Sequence, residues 1–254
     1  MSPSSNTPSN TPSDTPSDSS PDSSPDSSPD TPRDPQRPRR FDLVVFDWDG
    51  TLFDSTALIV RCIQLACADI GVPVPSAERA AYVIGLGLHD ALQHAVPGLP
   101  EARYPELGRR YRHHYVASQH DLVLFPGTLA MLQALKARNH WLAVATGKSR
   151  AGLDDALHTV QLKGLFDSTR TADETAGKPD PLMLAQLMAE LGVPAARTLM
   201  IGDTTHDLQL ALNAGCASVA VSYGAHAPEA FAALSPLHIA QSTADLQDWL
   251  LRHA

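Results

Sequence analysis

The sequence predicts a doubly wound α/β protein carrying a small inserted helical domain. Three observations lead there. Short apolar runs rich in β-branched residues occur at 41–46, 141–145, 198–201 and 217–221, and continuous runs of this kind suit strands of a parallel sheet covered on both faces. Helical patterns separate the last three runs, and strand–helix alternation implies a parallel sheet with right-handed crossovers. Between the first and second runs, 55–124 breaks that alternation with helical patterns alone.

Residues 1–40 hold ten of the 21 prolines, and Met1 is their only apolar side chain by the broad count. So polar a segment cannot offset the entropy of ordering its backbone, which predicts disorder. Ser-Pro-Asp recurs at Ser20, Ser24 and Ser28, a spacing too short for a solenoid and suited to a solvated linker. Its Ser-Pro and Thr-Pro pairs could accept phosphate from a kinase, or the segment could be a plain unstructured extension. The other 214 of the 254 residues carry essentially all the hydrophobic side chains, enough for one large domain or a domain plus an insert.

Order begins at Phe41 with the first strand. Helical patterns follow at 56–70, 76–83, 88–95 and 101–118, and Phe125-Pro126-Gly127 marks a hinge-like return. The predicted division is therefore 41–54 with 125–254 as one domain and 55–124 as the insert. Further helices are expected at 151–162, at 181–191 before Gly192, and at 205–214 before Gly215, with Pro at a start and Gly after an end as punctuation.

Charge narrows the function classes. The first 40 residues have six Asp and four Arg, a net of -2, and the remainder has 15 Lys+Arg against 22 Asp+Glu, a net of -7. An acidic balance argues against nucleic-acid binding. No apolar run is long enough for a membrane span, and the N-terminus lacks a signal peptide's apolar region, so a cytoplasmic protein is expected. Cys62, Cys67 and Cys216 are too few and scattered for a disulfide framework or zinc site.

The chemistry sits at predicted strand ends, where ligands bind in open α/β sheets. Asp47-Trp48-Asp49-Gly50-Thr51 follows the first strand and places two carboxylates on one side of an extended segment, although Asp-Gly is also a common turn pair. The second run ends in Thr146-Gly147-Lys148-Ser149, either a phosphate seat at a helix N-terminus or a simple helix cap. The third ends in Gly202-Asp203, with Asp207 one helical turn on, and Lys178 stands in Gly177-Lys178-Pro179-Asp180-Pro181. Four carboxylates, a hydroxyl and a lysine in one crevice call for a compensating cation. An all-oxygen acidic site suits Mg²⁺, and the combination describes phosphoryl transfer.

These pieces, in this order, resemble the haloacid dehalogenase-like superfamily in its phosphatase branch. The matching residues are Asp47-Trp48-Asp49-Gly50-Thr51-Leu52, Thr146, Lys178-Pro179 and Gly202-Asp203-Thr204-Thr205-His206-Asp207. The resemblance implies a Rossmann-like core with 55–124 as a mobile cap. It also implies Asp47 as nucleophile, Asp49 as general acid and base, and Thr146 and Lys178 as phosphoryl-oxygen ligands. Asp203 would ligate Mg²⁺ with Asp47 and the backbone carbonyl of Asp49. Asp207 would bind metal through water or orient Lys178.

An Asp two residues after the nucleophile suits phosphate esters rather than dehalogenation, and a cap without lysine disfavours phosphonatase chemistry. The overall likeness is nearest to phosphoglycolate phosphatases, including Phe53-Asp54-Ser55 and Gly85-Leu86-Gly87. The expected partner is a small phosphorylated metabolite, with sugar phosphates or pyrophosphate as alternatives. A sugar phosphomutase or a catalytically silent binding module is the rival reading. Lys148 and Arg150 are candidates for a substrate's acidic end, or else a helix-surface pair, and His89 and Asp90 are candidates for substrate contact. Trp48 is expected to pack, and the oligomeric state stays open.

Overall fold

The structure, a computed structural model, describes residues 39–254 apart from Gln161 and Lys163. The expected disorder of 1–40 therefore falls, except for Arg39 and Arg40, outside the described residues. Six strands are β1 (Leu43–Phe46), β2 (Trp141–Thr146), β3 (Ser168–Thr171), β4 (Thr198–Gly202), β5 (Ala217–Val221) and β6 (Ile239–Ala240). They form one sheet in the order β3-β2-β1-β4-β5-β6, and every neighbouring pair is parallel. This is the Rossmann-like α/β arrangement that the alternation predicts. Chain order reverses at β1, whose neighbours are β2 and β4, so a crevice forms beyond the carboxyl ends of these three strands.

Strand alternation divides the core into two layers. Val44, Phe46, Leu142, Val144, Leu199 and Ile201 point to one face of the sheet. There they meet α5 (Thr128–Ala137), α6 (Arg150–Thr159) and α9 (Thr243–His253) through Leu132, Leu153 and Leu250. Leu43, Val45, Ala143, Ala145 and Met200 point to the other face and pack on α7 (Leu182–Leu191) and α8 (Thr205–Asn213). Burying a single such Leu or Val stabilises the fold by about 1.5–3 kcal/mol.

Between β1 and α5 lie α1 (Thr56–Asp69), α2 (Ala77–Tyr82), α3 (Leu88–Ala95) and α4 (Tyr104–Ser118). They enclose a separate apolar cluster that includes Ile63, Cys67, Leu92 and Leu107. The chain enters and leaves this layer along adjacent paths. Asp54 N–H donates to the Val123 carbonyl at 3.0 Å and Phe125 N–H to the Leu52 carbonyl at 3.0 Å, around a bridge between Phe53 and Leu124.

The structure adds elements the sequence reading lacks. Helix α5 carries buried Met131, Leu132 and Leu135. Helix α9 is capped by Ser242, which accepts from Asp245 N–H, and buries Leu246, Trp249 and Leu250. Strand β3 is a short polar edge strand held by pairing to β2, and β6 is two residues paired to β5. The first strand is shorter than expected, because Phe41 and Asp42 precede the ladder although the Asp42 carbonyl still accepts from Trp141 N–H.

Candidate active site

Asp47 and Asp49 stand on the loop leaving β1, Thr146 ends β2, and Asp203 follows β4. Because these strands are neighbours, residues distant in sequence meet at one edge of the sheet. The loop after β1 turns tightly at Gly50, where φ is +82° and a Cβ would lie 2.1 Å from Asp203 Oδ2. Only glycine lets that backbone approach the carboxylate so closely.

Lys178 forms the centre of the charge arrangement. Its Nζ donates to Asp47 Oδ1 at 2.5 Å and to Asp207 Oδ1 at 2.6 Å, and all three side chains are almost wholly buried. Burial alone would lower the lysine's pKa, but the carboxylates of Asp207 and Asp47 outweigh it and raise it, so the ammonium stays charged. Burial pushes the Asp47 carboxyl well up, against the pull of Lys178 and with Asp207 and Asp203 adding to the rise.

Asp207 has both oxygens engaged. Oδ2 accepts from Thr204 N–H at 3.1 Å and Thr204 Oγ1–H at 2.7 Å, while Asp207 N–H faces the Thr204 hydroxyl oxygen. This capping box starts α8 and satisfies N–H groups that the first helical turn would leave unpaired. Of the two places the resemblance left open for Asp207, the geometry is that of a residue holding Lys178.

Asp203 Oδ1 accepts from the Thr51 hydroxyl at 2.8 Å, and Oδ2 accepts from Ala225 N–H at 2.7 Å. Burial, followed by the Asp207 charge, raises its pKa to about 7. Carboxylate oxygens of Asp47, Asp203 and Asp207 lie within 4.8 Å of one another. Asp47 Oδ2 is buried and has no hydrogen-bond partner among the described residues. Three desolvated carboxylates gathered around one ammonium leave negative charge that a divalent cation would offset, and hard oxygen donors suit Mg²⁺. The residues present therefore fit the metal.

Asp49 is held on the other side of the loop. Its Oδ1 accepts from the Ser55 hydroxyl at 2.6 Å, and its Oδ2 lies 3.2 Å from Lys148 Nζ. The Thr146 hydroxyl oxygen accepts from Lys148 N–H at 3.2 Å, which leaves the hydroxyl proton free to donate.

The helical layer closes over this edge at three places. Tyr115 of α4 accepts from Lys148 Nζ at 2.9 Å through its hydroxyl. A Cβ on Gly147 would sit 2.4 Å from the Leu86 carbonyl and 2.6 Å from that of Gly85, so the Gly85-Leu86-Gly87 loop lies directly on the end of β2. His206 and His226 both direct Nε2 at the Tyr82 carbonyl, at 2.8 and 3.0 Å. Thr205 N–H donates to His226 Nδ1 at 3.0 Å, which fixes the proton of that ring on Nε2. Beside Lys178 a cleft of about 570 Å³ separates the two layers, lined among others by Leu86, Asp90, His94, Asp180 and His206.

The remaining sequence candidates divide. Lys148 is drawn into the site, with its side chain 10% exposed, and is not a surface residue. Arg150 is committed elsewhere, donating to both carboxylate oxygens of Glu174 and to Thr169. His89 faces Glu101 at 3.3 Å and the ring of Tyr104 on the helical layer, so it is not grouped with the catalytic candidates. Trp48 is fully buried against Phe53 and Phe166. Thr51 and Ser55 stand inside the quoted motifs, but sequence reasoning did not assign them their support of Asp203 and Asp49; Ser55 reaches Asp49 within one loop, Thr51 reaches Asp203 only because β1 pairs with β4, and Tyr115 and Ala225 carry no local signal.

Comparison with known proteins agrees with this arrangement. The family described as haloacid dehalogenase-like hydrolase matches residues 44–221. "Probable phosphatase IndB" of Dickeya dadantii is 36% identical over 76% of this chain and 86% of its own length. A phosphoglycolate phosphatase of Aliivibrio fischeri is 33% identical over 72% and 84%, and a 5'-nucleotidase of Pseudomonas aeruginosa is 32% identical over 84% and 97%. Among solved structures, a predicted phosphoglycolate phosphatase from Haemophilus somnus superposes with a TM-score of 0.73 at 28% identity, covering 82% of this chain and 97% of that one. A hydrolase from Pseudomonas syringae shares the fold at 23% identity and a TM-score of 0.77, covering 83% and 98%. With the family match spanning most of the described sheet, and each of the three relatives just named above 30% identity, the chain belongs to the haloacid dehalogenase-like hydrolases.

Proposed function

We propose that this chain is a Mg²⁺-dependent phosphatase that hydrolyses a small phosphate monoester, of the phosphoglycolate kind, through a phosphorylated Asp47. The observation that carries the reading is the asymmetry of Asp47: Lys178 holds Oδ1, while Oδ2 is buried, unpartnered and free to act.

Asp47 Oδ2 attacks phosphorus, and the bond to the ester oxygen breaks. Asp49 donates its proton to the leaving alkoxide, with Ser55 fixing the carboxyl. Asp49 then takes a proton from water, whose oxygen attacks the phosphorus of the acyl phosphate, releasing phosphate and restoring the Asp47 carboxylate. Thr146 donates its hydroxyl to one phosphoryl oxygen and Lys178 keeps a positive charge beside another. Asp47, Asp203 and the backbone carbonyl of Asp49 would hold Mg²⁺, which when bound neutralises phosphoryl charge. Residues 55–124 act as a cap that opens for entry and shuts out bulk water, hinged where 53–54 and 123–125 run side by side.

Purified protein should release phosphate from p-nitrophenyl phosphate with Mg²⁺, and lose that activity in EDTA or as the Asp47→Asn variant. Turnover that survives both treatments would refute the mechanism.

A further inference from the structure

Lys148 and Tyr115 have donors left over. Lys148 has three N–H groups. One points to Asp49 Oδ2 at 3.2 Å and one to the Tyr115 hydroxyl at 2.9 Å, which leaves a third without a partner among the described residues. Tyr115 accepts from Lys148, so its own O–H remains available, and it donates no hydrogen bond to another described residue.

Ring contacts brace the two groups. The Tyr115 ring lies 28° from the plane of Tyr111 with centroids 5.9 Å apart, and the Lys148 ammonium sits 4.6 Å from the Tyr115 ring centroid. Both donors lie around Asp49, the residue that would face the leaving alcohol. Both residues are only partly buried, so the spare donors are open to a ligand that brings acceptor oxygens to this point. The other candidate cation near the strand ends, Arg150, is saturated by Glu174 and Thr169.

We propose that Lys148 and Tyr115 together form a seat for a carboxylate on the leaving alcohol, making the substrate a phosphorylated hydroxy acid. The ammonium supplies the opposite charge, and the phenol supplies the second hydrogen bond. This rests on the phosphatase reading, from which it takes the place of the leaving alcohol. It also gives the cap a part in selectivity, because Tyr115 reaches Lys148 only when the helical layer is closed over β2.

The test compares 2-phosphoglycolate with ethyl phosphate, an ester of similar size that lacks the carboxylate. Binding is measured by calorimetry with Mg²⁺ on the full chain carrying Asp47→Asn, and turnover on the full chain with Asp47 intact. The seat predicts about tenfold or greater preference for phosphoglycolate in binding, reduced to about threefold or less by Lys148→Met or Tyr115→Phe. The Tyr115→Phe change keeps the ring under the ammonium and removes only the hydroxyl. Equal binding of the two ligands would overturn the proposal, as would a preference untouched by both substitutions. If the intact protein turns over no ester, the phosphatase reading fails while the binding preference still reports on the seat.

Discussion

Replacing Lys178 with Met should destabilise the fold in a strongly pH-dependent way. Its ammonium lies 2.5 Å from Asp47 and 2.6 Å from Asp207, with no side chain of the three more than 1% exposed. Deleting the cation leaves two buried carboxylates facing each other, and removing one partner of such a group costs about 3–5 kcal/mol. For a domain of this size that is a loss of about 6–20 °C in Tm, at about 2–4 °C per kcal/mol.

The sign with pH follows from Asp47. Burial already raises its carboxyl above the ordinary 3.8, and Lys178 opposes that rise. Without Lys178 the folded-state pKa climbs further above the unfolded value. A group raised in this way favours folding below its unfolded pKa, and that contribution is lost as pH rises through its folded pKa. Thermal unfolding followed by circular dichroism in EDTA should therefore show a large gap to the parent protein at about pH 8 and a smaller one at about pH 5.5. A gap below about 1 kcal/mol, or one of equal size at both pH values, would rule out this role for Lys178, since typical surface ion pairs contribute no more than that.

Gly147→Ala would push the helical layer away from the end of β2, because its Cβ falls 2.4 Å from the Leu86 carbonyl. We expect kcat/KM to fall about tenfold to a hundredfold with Tm within a few degrees of the parent, measured by steady-state phosphate release alongside thermal melting. His140 is 2% exposed and has no hydrogen-bond partner on either ring nitrogen among the described residues, and burial, with Arg138 and Arg39 nearby, pushes it from 6.5 to about 4. Between those values the unfolded chain binds the proton more readily, so stability falls with falling pH by up to about 3 kcal/mol, at about 1.4 kcal/mol per pH unit. His140→Phe should flatten that part of the stability curve, as read by urea unfolding across the interval.

Much of the sheet and its site was legible because both follow from local pattern. Strands buried on two faces must be continuously apolar, and the residues at their carboxyl ends face one crevice whatever the connections between them. That logic brings Asp47, Thr146 and Asp203 together before any coordinates. Helices α5 and α9 carried legible signals too: apolar spacing at Met131, Leu132 and Leu135, and the Ser242–Asp245 cap before Leu246. Strand β3 was not legible, because Ser168-Thr169-Arg170-Thr171 is polar and owes its conformation to pairing with β2. Lys148 and Arg150 show the limit more sharply. Two residues apart on one turn, they look alike in sequence, yet one reaches Asp49 and the other Glu174. The closure of α4 over β2, which brings Tyr115 to Lys148, decides the first, and Glu174 beyond β3 decides the second.

In the proposed mechanism Asp47 carries the phosphoryl group during turnover. Protein quenched during turnover and reduced with borohydride should contain homoserine at position 47, since reduction of an aspartyl phosphate gives that product. Peptide mapping would locate it. Homoserine at 47 that requires both substrate and Mg²⁺ is the predicted result. Unmodified Asp47 in protein quenched during rapid phosphate release, with the phosphoryl group on another residue, would contradict the account.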